Sequence, residues 1–506
     1  METFALLGQG FAEAFTSTNL LLVFLGALIG TVIGMLPGIG PINAIAILIP
    51  ITFALDLSLT SALIMFAGIY YGSQYGNSIS AILLNVPGTS GAVATTFDGY
   101  PLAKQGKGGQ ALAMSAIASF IGGTISVVGL MLFAPVLAQW AIRFGPAEYF
   151  VLMIFALSTV ASLAGRSLVK ALIAAVIGLM VGSVGLDPGG SVARFTFGEL
   201  KLLDGIDFVV AVIGFFAVTE VLVTLEETRL GRATVNKVNK VMISIGDFVR
   251  SFWTMIRSSV MGFLIGVLPG AGGTIAAFMA YTSEKQLVDR DDDFGKGDLR
   301  GVAAPESANN AATSGALIPL LTLGVPGSGT TAVMLAALIG YNVNPGPLFI
   351  QNNTDVFFAL VASMYIGNIM LLVLNLPLVG LFARILLIPR WILMPSVIAL
   401  SFVAVYAVNN SAFDLFLMTG IGVAGYFMRK LDIPLAPAIL ALVLGGLMEN
   451  NLRRALSLSD GDWSTFVSSP VTIVLWILTV ASLVVPIIIS RIFGTSVKEL
   501  VEDEPS

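Results

Sequence analysis

Long apolar runs, separated by short polar stretches, extend along almost the whole chain. A helix needs about 20 apolar residues to cross a bilayer. Runs of about this length or more lie at 20–36, 60–84, 110–138, 147–164, 168–186, 206–225, 256–282, 311–340, 355–384, 391–408, 411–428, 433–448 and 470–493. The pattern predicts an all-α polytopic membrane protein with about 10–14 membrane segments, including re-entrant hairpins or broken helices.

One motif that interrupts an apolar run occurs twice, 232 positions apart. Residues 30–45 read GTVIGMLPGIGPINAI and residues 262–277 read GFLIGVLPGAGGTIAA. Proline removes a backbone N–H, and glycine adopts dihedral angles that other residues avoid, so we expect a helix to break in each copy. We call these segments the first and second LPG breaks. Broken backbone at membrane depth is tolerated only where it lines a protein cavity.

A second paired motif follows in each half of the chain. Residues 84–91 read LNVPGTSG and residues 323–330 read LGVPGSGT; we call them the first and second VPG elements. Paired interruptions indicate a transporter built from inverted repeats, with its site near the bilayer midplane. The predicted organisation is a first repeat at 1–225 (breaks at 34–43 and 84–91), a basic cytoplasmic linker or interfacial helix at 226–257, and a second repeat at 258–506 (breaks at 266–274 and 323–331) with the C-terminal helices.

The charges of the connections agree with opposite orientations of the two repeats. After the LPG breaks, the connection at 284–300 is basic, whereas the matching one at 55–60 has no basic residue. After the VPG elements the order reverses, because 97–109 is basic and 341–355 is not. Basic connections favour the cytoplasmic side, so equivalent connections are predicted to face opposite sides of the membrane.

Composition narrows the chemistry. The chain is 56 % hydrophobic and 11 % charged, whereas soluble domains are about one quarter charged. It contains no cysteine and no histidine, which excludes disulfides, thiol catalysis and His-ligated metal sites. We expect no catalytic residue, no cofactor and no metal apart from Na⁺.

The broken helices supply the candidate binding groups. Their N-terminal ends suit a carboxylate and their carbonyl ends suit Na⁺. Neither break contains lysine or arginine, so a bound anion would need helix ends, hydroxyls, amides and an accompanying cation. Substrate is predicted to bind the VPG elements at Asn85, Pro87, Gly88, Thr89, Ser90, Pro326, Gly327, Ser328, Gly329, Thr330 and Thr331. The coupling cation is predicted to bind at Gly38, Gly40, Asn43, Asn77, Gly270, Gly272, Thr274, Ser307, Asn309 and Asn310.

Plainer interpretations compete with these assignments. Glycines lie four residues apart in each half, at Gly26, Gly30, Gly34 and Gly38 and again at Gly262, Gly266 and Gly270. For Gly26, Gly30 and Gly262 this spacing also fits close helix packing without any binding role. The acidic run 291–293 could bind Mg²⁺ in a membrane-embedded transferase acting on a lipid phosphate, which is the alternative function. A solvated loop is the favoured interpretation of that run, because no second acidic cluster accompanies it.

The polar residues between the motifs also admit two interpretations. At the 232-residue offset Asn77 aligns with Asn309, and Gln74 aligns with Glu306. Such residues either form a site or merely bridge helices, at about 0.6 kcal/mol per hydrogen bond. Glu306 is either an intramembrane ion ligand or titrating group, or an interfacial residue beside the charged loop.

These motifs together resemble a known family. Residues 34–41 (GMLPGIGP), the segment 70–112 around NVPGTSG, and the segment 268–335 around PESANNAATSG are similar to the TctA-like large membrane subunit of the tripartite tricarboxylate transporters. The resemblance extends from about residue 20 to 490. It implies a multi-pass protein of the bacterial inner membrane that imports a carboxylate such as citrate.

The resemblance also implies partners and a mechanism. A periplasmic solute-binding protein (TctC-like) would deliver the carboxylate, and a small four-helix membrane subunit (TctB-like) would complete the complex. An ion gradient, typically of sodium, would drive symport without ATP, and an elevator movement is implied by similarity to other carboxylate carriers. No nucleic-acid partner is expected.

Overall fold

The computed structural model describes residues 2–36, 40–163, 167–187, 189–190, 192–226, 241–270, 272–290, 293–386 and 390–492. Its helices are α1 (Glu2–Ala14), α2 (Ser17–Gly34), α3 (Pro41–Ala54), α4 (Leu59–Leu84), α5 (Val93–Lys104), α6 (Gly108–Ala141), α7 (Pro146–Leu163), α8 (Leu168–Gly182), α9 (Phe208–Val212), α10 (Thr219–Glu226), α11 (Ile245–Val267), α12 (Gly272–Val288), α13 (Leu299–Leu323), α14 (Gly329–Gly340), α15 (Phe349–Asn352), α16 (Thr354–Asn375), α17 (Val379–Ile385), α18 (Arg390–Asn409), α19 (Ala412–Lys430), α20 (Leu435–Leu458) and α21 (Pro470–Ile492). Short 3₁₀ turns lie at Ser90–Ala92, Leu200–Leu202 and Trp463–Val467, a π-helical segment at Ile213–Val218, and an antiparallel pair at β1 (Gly185–Leu186) and β2 (Ala193–Arg194).

The predicted all-α membrane class is confirmed, because 81 % of the described residues are helical. Five of the described helical segments are long and apolar enough to cross a membrane: Ser17–Met35, Gly108–Ala141, Phe208–Glu226, Thr354–Asn375 and Leu435–Leu458. Six shorter apolar helices accompany them: Pro41–Ala54, Pro146–Ser162, Leu168–Gly182, Gly329–Gly340, Met394–Ala407 and Pro470–Val484. The two-residue β pair is too short for an alternating pattern to predict it.

The predicted breaks fall where helices end. The apolar run 256–282 covers the second half of α11 and most of α12, which are separated at the second LPG break. The run 311–340 covers the second half of α13 and all of α14, which are separated at the second VPG element. The pattern does not predict α1, α3 or α5. Helix α5 occupies most of 97–109, so the interpretation of that segment as a loop is wrong, and only residues 105–107 connect α5 to α6. Its short length and polar residues hide it from a search for long apolar runs.

The predicted linker, 226–257, is described from residue 241 onward. Ser244 caps α11 through a reciprocal pair of hydrogen bonds with Asp247, and the helix then runs without interruption to Val267. The last part of the predicted linker is therefore the first half of α11. Residues 227–240 lie outside the described part of the chain.

Two compact units divide the chain, and each half of the sequence contributes to both. The first unit comprises Met1–Ile142 and Asp207–Phe427. The second comprises Arg143–Ile206 and Met428–Ser506. Within the second unit, α8 packs on α20, and α7 packs on both α20 and α21.

Within the first unit, α2 packs along α4 and α11 packs along α13 through glycines. An added Cβ at Gly30 would lie 2.4 Å from Ile69 O, and one at Gly262 would lie 2.3 Å from Ala308 O. One turn on, a Cβ at Gly34 would lie 2.2 Å from Ser73 O, and one at Gly266 would lie 2.5 Å from Ala312 O. Backbones this close admit no side chain, so close packing is the role of these glycines, as the plainer interpretation holds.

These matching contacts also set the alignment of the two halves. The glycines correspond at an offset of 232, but their partners correspond at 239, as do the helix ends at Leu84 and Leu323. The difference arises because α3 and α4 are joined by residues 55–58, whereas α12 and α13 are joined by the longer segment 289–298. Alignment of Asn77 with Asn309 and of Gln74 with Glu306 is therefore wrong. In the aligned helices, Asn309 corresponds to Tyr70, Glu306 to Ala67, and Asn77 to Ala316.

Candidate ion and substrate site

The VPG elements are the C-terminal ends of the two long helices α4 and α13. Each helix is capped by a residue in the left-handed conformation, Asn85 with φ 59° and Gly324 with φ 69°. Pro87 and Pro326 follow two residues later, where proline commonly prevents a helix from continuing. Gly88 follows Pro87, and a Cβ added at Gly88 would lie 1.8 Å from Gly34 O. The backbone of this turn therefore packs directly against the end of α2.

The LPG breaks separate α2 from α3 and α11 from α12. Gly270 and Gly272 have φ values of 81° and 59°, which glycine adopts without strain. Gly270 N donates a 3.0 Å hydrogen bond to Gly327 O, so the second LPG break contacts the second VPG element. Pro37, Gly38, Ile39 and Ala271 lie outside the described residues.

Each LPG break lies beside the VPG element of its own half. A Cβ at Gly40 would lie 3.9 Å from Thr89 Cγ2, and a Cβ at Gly272 would lie 4.0 Å from Ser328 Cβ. Asn43 is buried in the first turn of α3, close to this junction. The two halves therefore build their loop pairs in the same way.

Polar contacts join the two halves. Ser90 Oγ and Thr274 Oγ1 are 2.7 Å apart, which links the first VPG element to the start of α12. Tyr70 OH lies 3.0 Å from Ser328 Oγ, which links α4 to the second VPG element. Asn309 Nδ2 donates to the side-chain oxygen of Gln74 at 2.8 Å. The residues predicted from the two halves are thus brought together in one unit.

Three asparagines near these elements have side-chain oxygens that accept no hydrogen bond from the described residues. Asn77 Nδ2 donates to Gln74 Oε1 at 3.0 Å and to Thr89 Oγ1 at 2.7 Å, and Asn310 Nδ2 donates to the Glu306 carbonyl at 3.2 Å. The Oδ1 atoms of Asn77, Asn309 and Asn310 are buried, and no donor of the described residues reaches them. A buried acceptor without a partner is costly, and amide oxygens are ligands that hard cations accept.

Asn309 Oδ1 lies between the 3₁₀ turn Ser90–Ala92 of the first half and the first turn of α12 in the second half. A Cβ added at Gly91 would lie 2.7 Å from this oxygen, and one added at Gly273 would lie 2.1 Å from it. Glycine at both positions therefore leaves the space that the carboxamide occupies. Both glycines lie within the predicted breaks 84–91 and 266–274, but the sequence did not assign either of them a binding role.

Hydroxyl groups gather at the second VPG element. Ser328 Oγ accepts from Thr331 N at 3.2 Å, and Thr331 Oγ1 accepts from Ser328 N at 2.8 Å, which caps the start of α14. Thr330 and Thr331 are 5 % and 0 % exposed. Tyr70 was missed by sequence reasoning because a tyrosine within an apolar run is more typical of packing.

Other predicted residues lie elsewhere. Ser307 donates to Ala303 O of its own helix, and its backbone packs against Gly122 of α6. Glu306 is 0 % exposed and lies on α13, about two turns after the helix begins at Leu299. Asp291 and Asp292 lie outside the described residues, and the residues on either side of them contain no group of three His, Cys, Asp or Glu able to hold a metal.

The sequence model of the Tripartite tricarboxylate transporter TctA family matches residues 20–440. A protein of Agrobacterium vitis named "Uncharacterized 52.8 kDa protein in TAR-I ttuC' 3'region" is 41 % identical over 488 residues, which cover 96 % of this chain and 97 % of that protein. A second, named "Uncharacterized protein in TAR-II ttuC' 3'region", is 42 % identical over 210 residues, which cover 42 % of this chain and 87 % of that protein. No solved structure matches the chain.

Proposed function

The chain belongs to the tripartite tricarboxylate transporter TctA family, and we propose that it imports a carboxylate by coupling to a Na⁺ gradient. Membership makes it the large, multi-pass membrane subunit of a transporter. The family is a transporter family, and no observation on the described residues favours the transferase alternative.

The observation that carries the proposal is the set of three asparagine oxygens. The Oδ1 atoms of Asn77, Asn309 and Asn310 are all buried within a membrane protein and accept no hydrogen bond from the described residues. Their amide nitrogens already donate to Gln74 Oε1 or to the Glu306 carbonyl, and this points each Oδ1 atom away from those acceptors. A Na⁺ ion would supply the missing positive partner, since hard cations prefer oxygen ligands.

The carboxylate would bind the VPG elements. The second element offers the hydroxyls of Ser328, Thr330 and Thr331 at the start of the 12-residue helix α14, and the first offers Thr89 and Ser90 before α5. Helix N-termini favour negative charge. A cation at the asparagines would lower the cost of bringing this charge into the protein.

The partners and movement are proposed from the family. A periplasmic binding protein (TctC-like) would deliver a carboxylate such as citrate, and a small membrane subunit (TctB-like) would complete the complex in the bacterial inner membrane. The matching glycine contacts and loop pairs support two structural repeats. The proposal also holds that the two repeats have opposite orientations in the membrane and that transport uses an elevator movement.

Uptake of labelled citrate into proteoliposomes tests the function. The vesicles hold this chain, the small subunit and the binding protein, with or without an inward Na⁺ gradient. Uptake that requires both the gradient and the binding protein is expected. Equal uptake when an inward gradient of K⁺ or choline replaces the Na⁺ gradient would refute the coupling to Na⁺.

Asn309→Ala tests the site within the same assay. It is expected to abolish Na⁺-driven uptake while the protein still inserts into the membrane. Asn375→Ala is the matched control, because Asn375 is also buried and its Oδ1 also lacks a donor among the described residues, but it lies at the end of α16. Near-normal uptake by Asn309→Ala, or equal losses in both variants, would remove Asn309 from the site.

A further inference from the structure

Glu306 stands apart from the other buried acids of its unit. It is 0 % exposed, on α13, one helical turn before Asn309 and Asn310. Elsewhere in the unit, Glu284 pairs with Arg257 at 2.7 Å, and Asp298 pairs with Arg300. No ion pair within the described part of the chain includes Glu306.

Asp98 shows how this protein satisfies a buried acid without arginine. Its carboxylate accepts from Gly295 N at 2.9 Å, from Gly297 N and Asp298 N at 2.8 Å each, and from Tyr281 OH at 2.9 Å. Four donors therefore surround one carboxylate. Such a set of hydrogen bonds stabilises the charged form without a cation.

Glu306 has a poorer set of donors. Thr95 Oγ1 lies 2.5 Å from Oε1, and Ser119 Oγ lies 3.3 Å from Oε2. Both partners are hydroxyls, and a hydroxyl can turn its proton away and offer a lone pair instead. Removing an ionised carboxylate from water without a paired charge is strongly unfavourable. An ionised Glu306 would therefore need a positive partner that the described side chains do not provide.

The oxygens around Glu306 form a ligand set for a cation. They come from three helices: the carboxylate from α13, Thr95 from the first turn of α5, and Ser119 from α6. Carboxylate and hydroxyl oxygens suit hard cations. One carboxylate with neutral hydroxyls balances one positive charge, which favours a monovalent ion over a divalent one.

We infer that Glu306, Thr95 and Ser119 form a second monovalent-cation site, separate from the three asparagine oxygens. It adds a cation to the proposed transport cycle, but binding measured without transport tests it independently. The site exists in one half of the chain only, because the position on α4 that corresponds to Glu306 is Ala67. The two repeats share a backbone plan and differ in the charge they accommodate.

Equilibrium binding of radioactive Na⁺ to the purified full chain tests this site. Glu306→Gln keeps the size and hydrogen-bonding shape of the side chain and is expected to bind about one Na⁺ fewer per chain than the wild type. Thr95→Val removes a hydroxyl without a change of shape, and it is expected to weaken one class of sites by about tenfold or more. The second variant keeps the test valid if Glu306→Gln fails to fold.

Ser126→Ala is the matched control. Ser126 is also buried on α6 and hydrogen-bonds across to α13, at 2.8 Å from Ser314 Oγ, but it contacts no carboxylate. It should bind as many Na⁺ ions as the wild type. Asn309→Ala should retain the Glu306 site and lose the other, so failure of the asparagine site and failure of this one give different results.

Two results would overturn the inference. The first is unchanged Na⁺ binding in both Glu306→Gln and Thr95→Val. The second is Glu306→Gln uptake that keeps its Na⁺ dependence but becomes insensitive to pH, because Glu306 would then carry a proton instead of a metal ion.

Discussion

The two glycines beside Asn309 make the cation site sensitive to a single methyl group. Real Cβ atoms essentially never lie within 3.0 Å of another group's heavy atom. Since a Cβ at Gly273 would lie 2.1 Å from Asn309 Oδ1, Gly273→Ala must displace this oxygen by about 0.9 Å or more. A Cβ at Gly91 would lie 2.7 Å from the same oxygen, so Gly91→Ala requires only about 0.3 Å.

These displacements predict different losses of Na⁺ affinity. Ligand groups must be held within about 0.5 Å of their productive positions, a limit that only Gly273→Ala exceeds. Changes to groups that orient a metal ligand typically reduce affinity about 10–100-fold. We therefore expect Gly273→Ala to raise the half-saturating Na⁺ concentration by about 10–100-fold, equivalent to about 1.4–2.8 kcal/mol. Gly91→Ala should raise it by less than about tenfold.

The assay is Na⁺-dependent carboxylate uptake in proteoliposomes, with thermal unfolding in detergent as the check on folding. Gly420→Ala on α19 is the control, because no heavy atom would lie within 4 Å of its Cβ. It should match the wild type. Wild-type half-saturation in Gly273→Ala, or a larger effect from Gly91→Ala, would refute the placement of Asn309 Oδ1 as a cation ligand.

Two further predictions concern stability. Gly266→Ala should destabilise the protein by about 1–3 kcal/mol, because its Cβ would lie 2.5 Å from a carbonyl oxygen of α13; a melting temperature equal to that of Gly420→Ala would contradict this. The backbone N–H of Gly189 and then the Arg194 guanidinium hold the pKa of Asp187 below its usual 3.8. A lowered folded-state pKa contributes stability that is present above the unfolded value and is lost as pH falls through the folded one. Hydrogen exchange should therefore show protection of the β1–β2 turn decreasing below about pH 4, and an equal decrease in Asp187→Asn would exclude this cause.

The two VPG elements have different side chains around them. The first VPG element lies near Asn309, whereas the second lies near the hydroxyl of Tyr70. Equivalent positions on α4 and α13 thus carry different chemistry on the same backbone plan. Repeats can diverge in this way because the glycine contacts preserve the packing while the remaining faces are free to change.

The sequence by itself determined the membrane class, most helices and the breaks. These features depend on local rules: an apolar run of sufficient length forms a membrane helix, and proline with glycine ends it. The paired motifs also indicated which parts of the chain to compare. Each of these conclusions needs only neighbouring residues or direct repetition.

Only the tertiary structure decided which side chains meet. The seven-residue change of offset follows from unequal connections, and it moves Asn309 from the expected partner Asn77 to the position of Tyr70. Gln74 nevertheless joins Asn77 to Asn309, because helix packing brings α4 and α13 within hydrogen-bond distance. The burial of Glu306 likewise depends on α5 and α6 covering α13. A sequence specifies the face that a helix presents, but the height at which two helices meet depends on loop lengths and on contacts between distant residues.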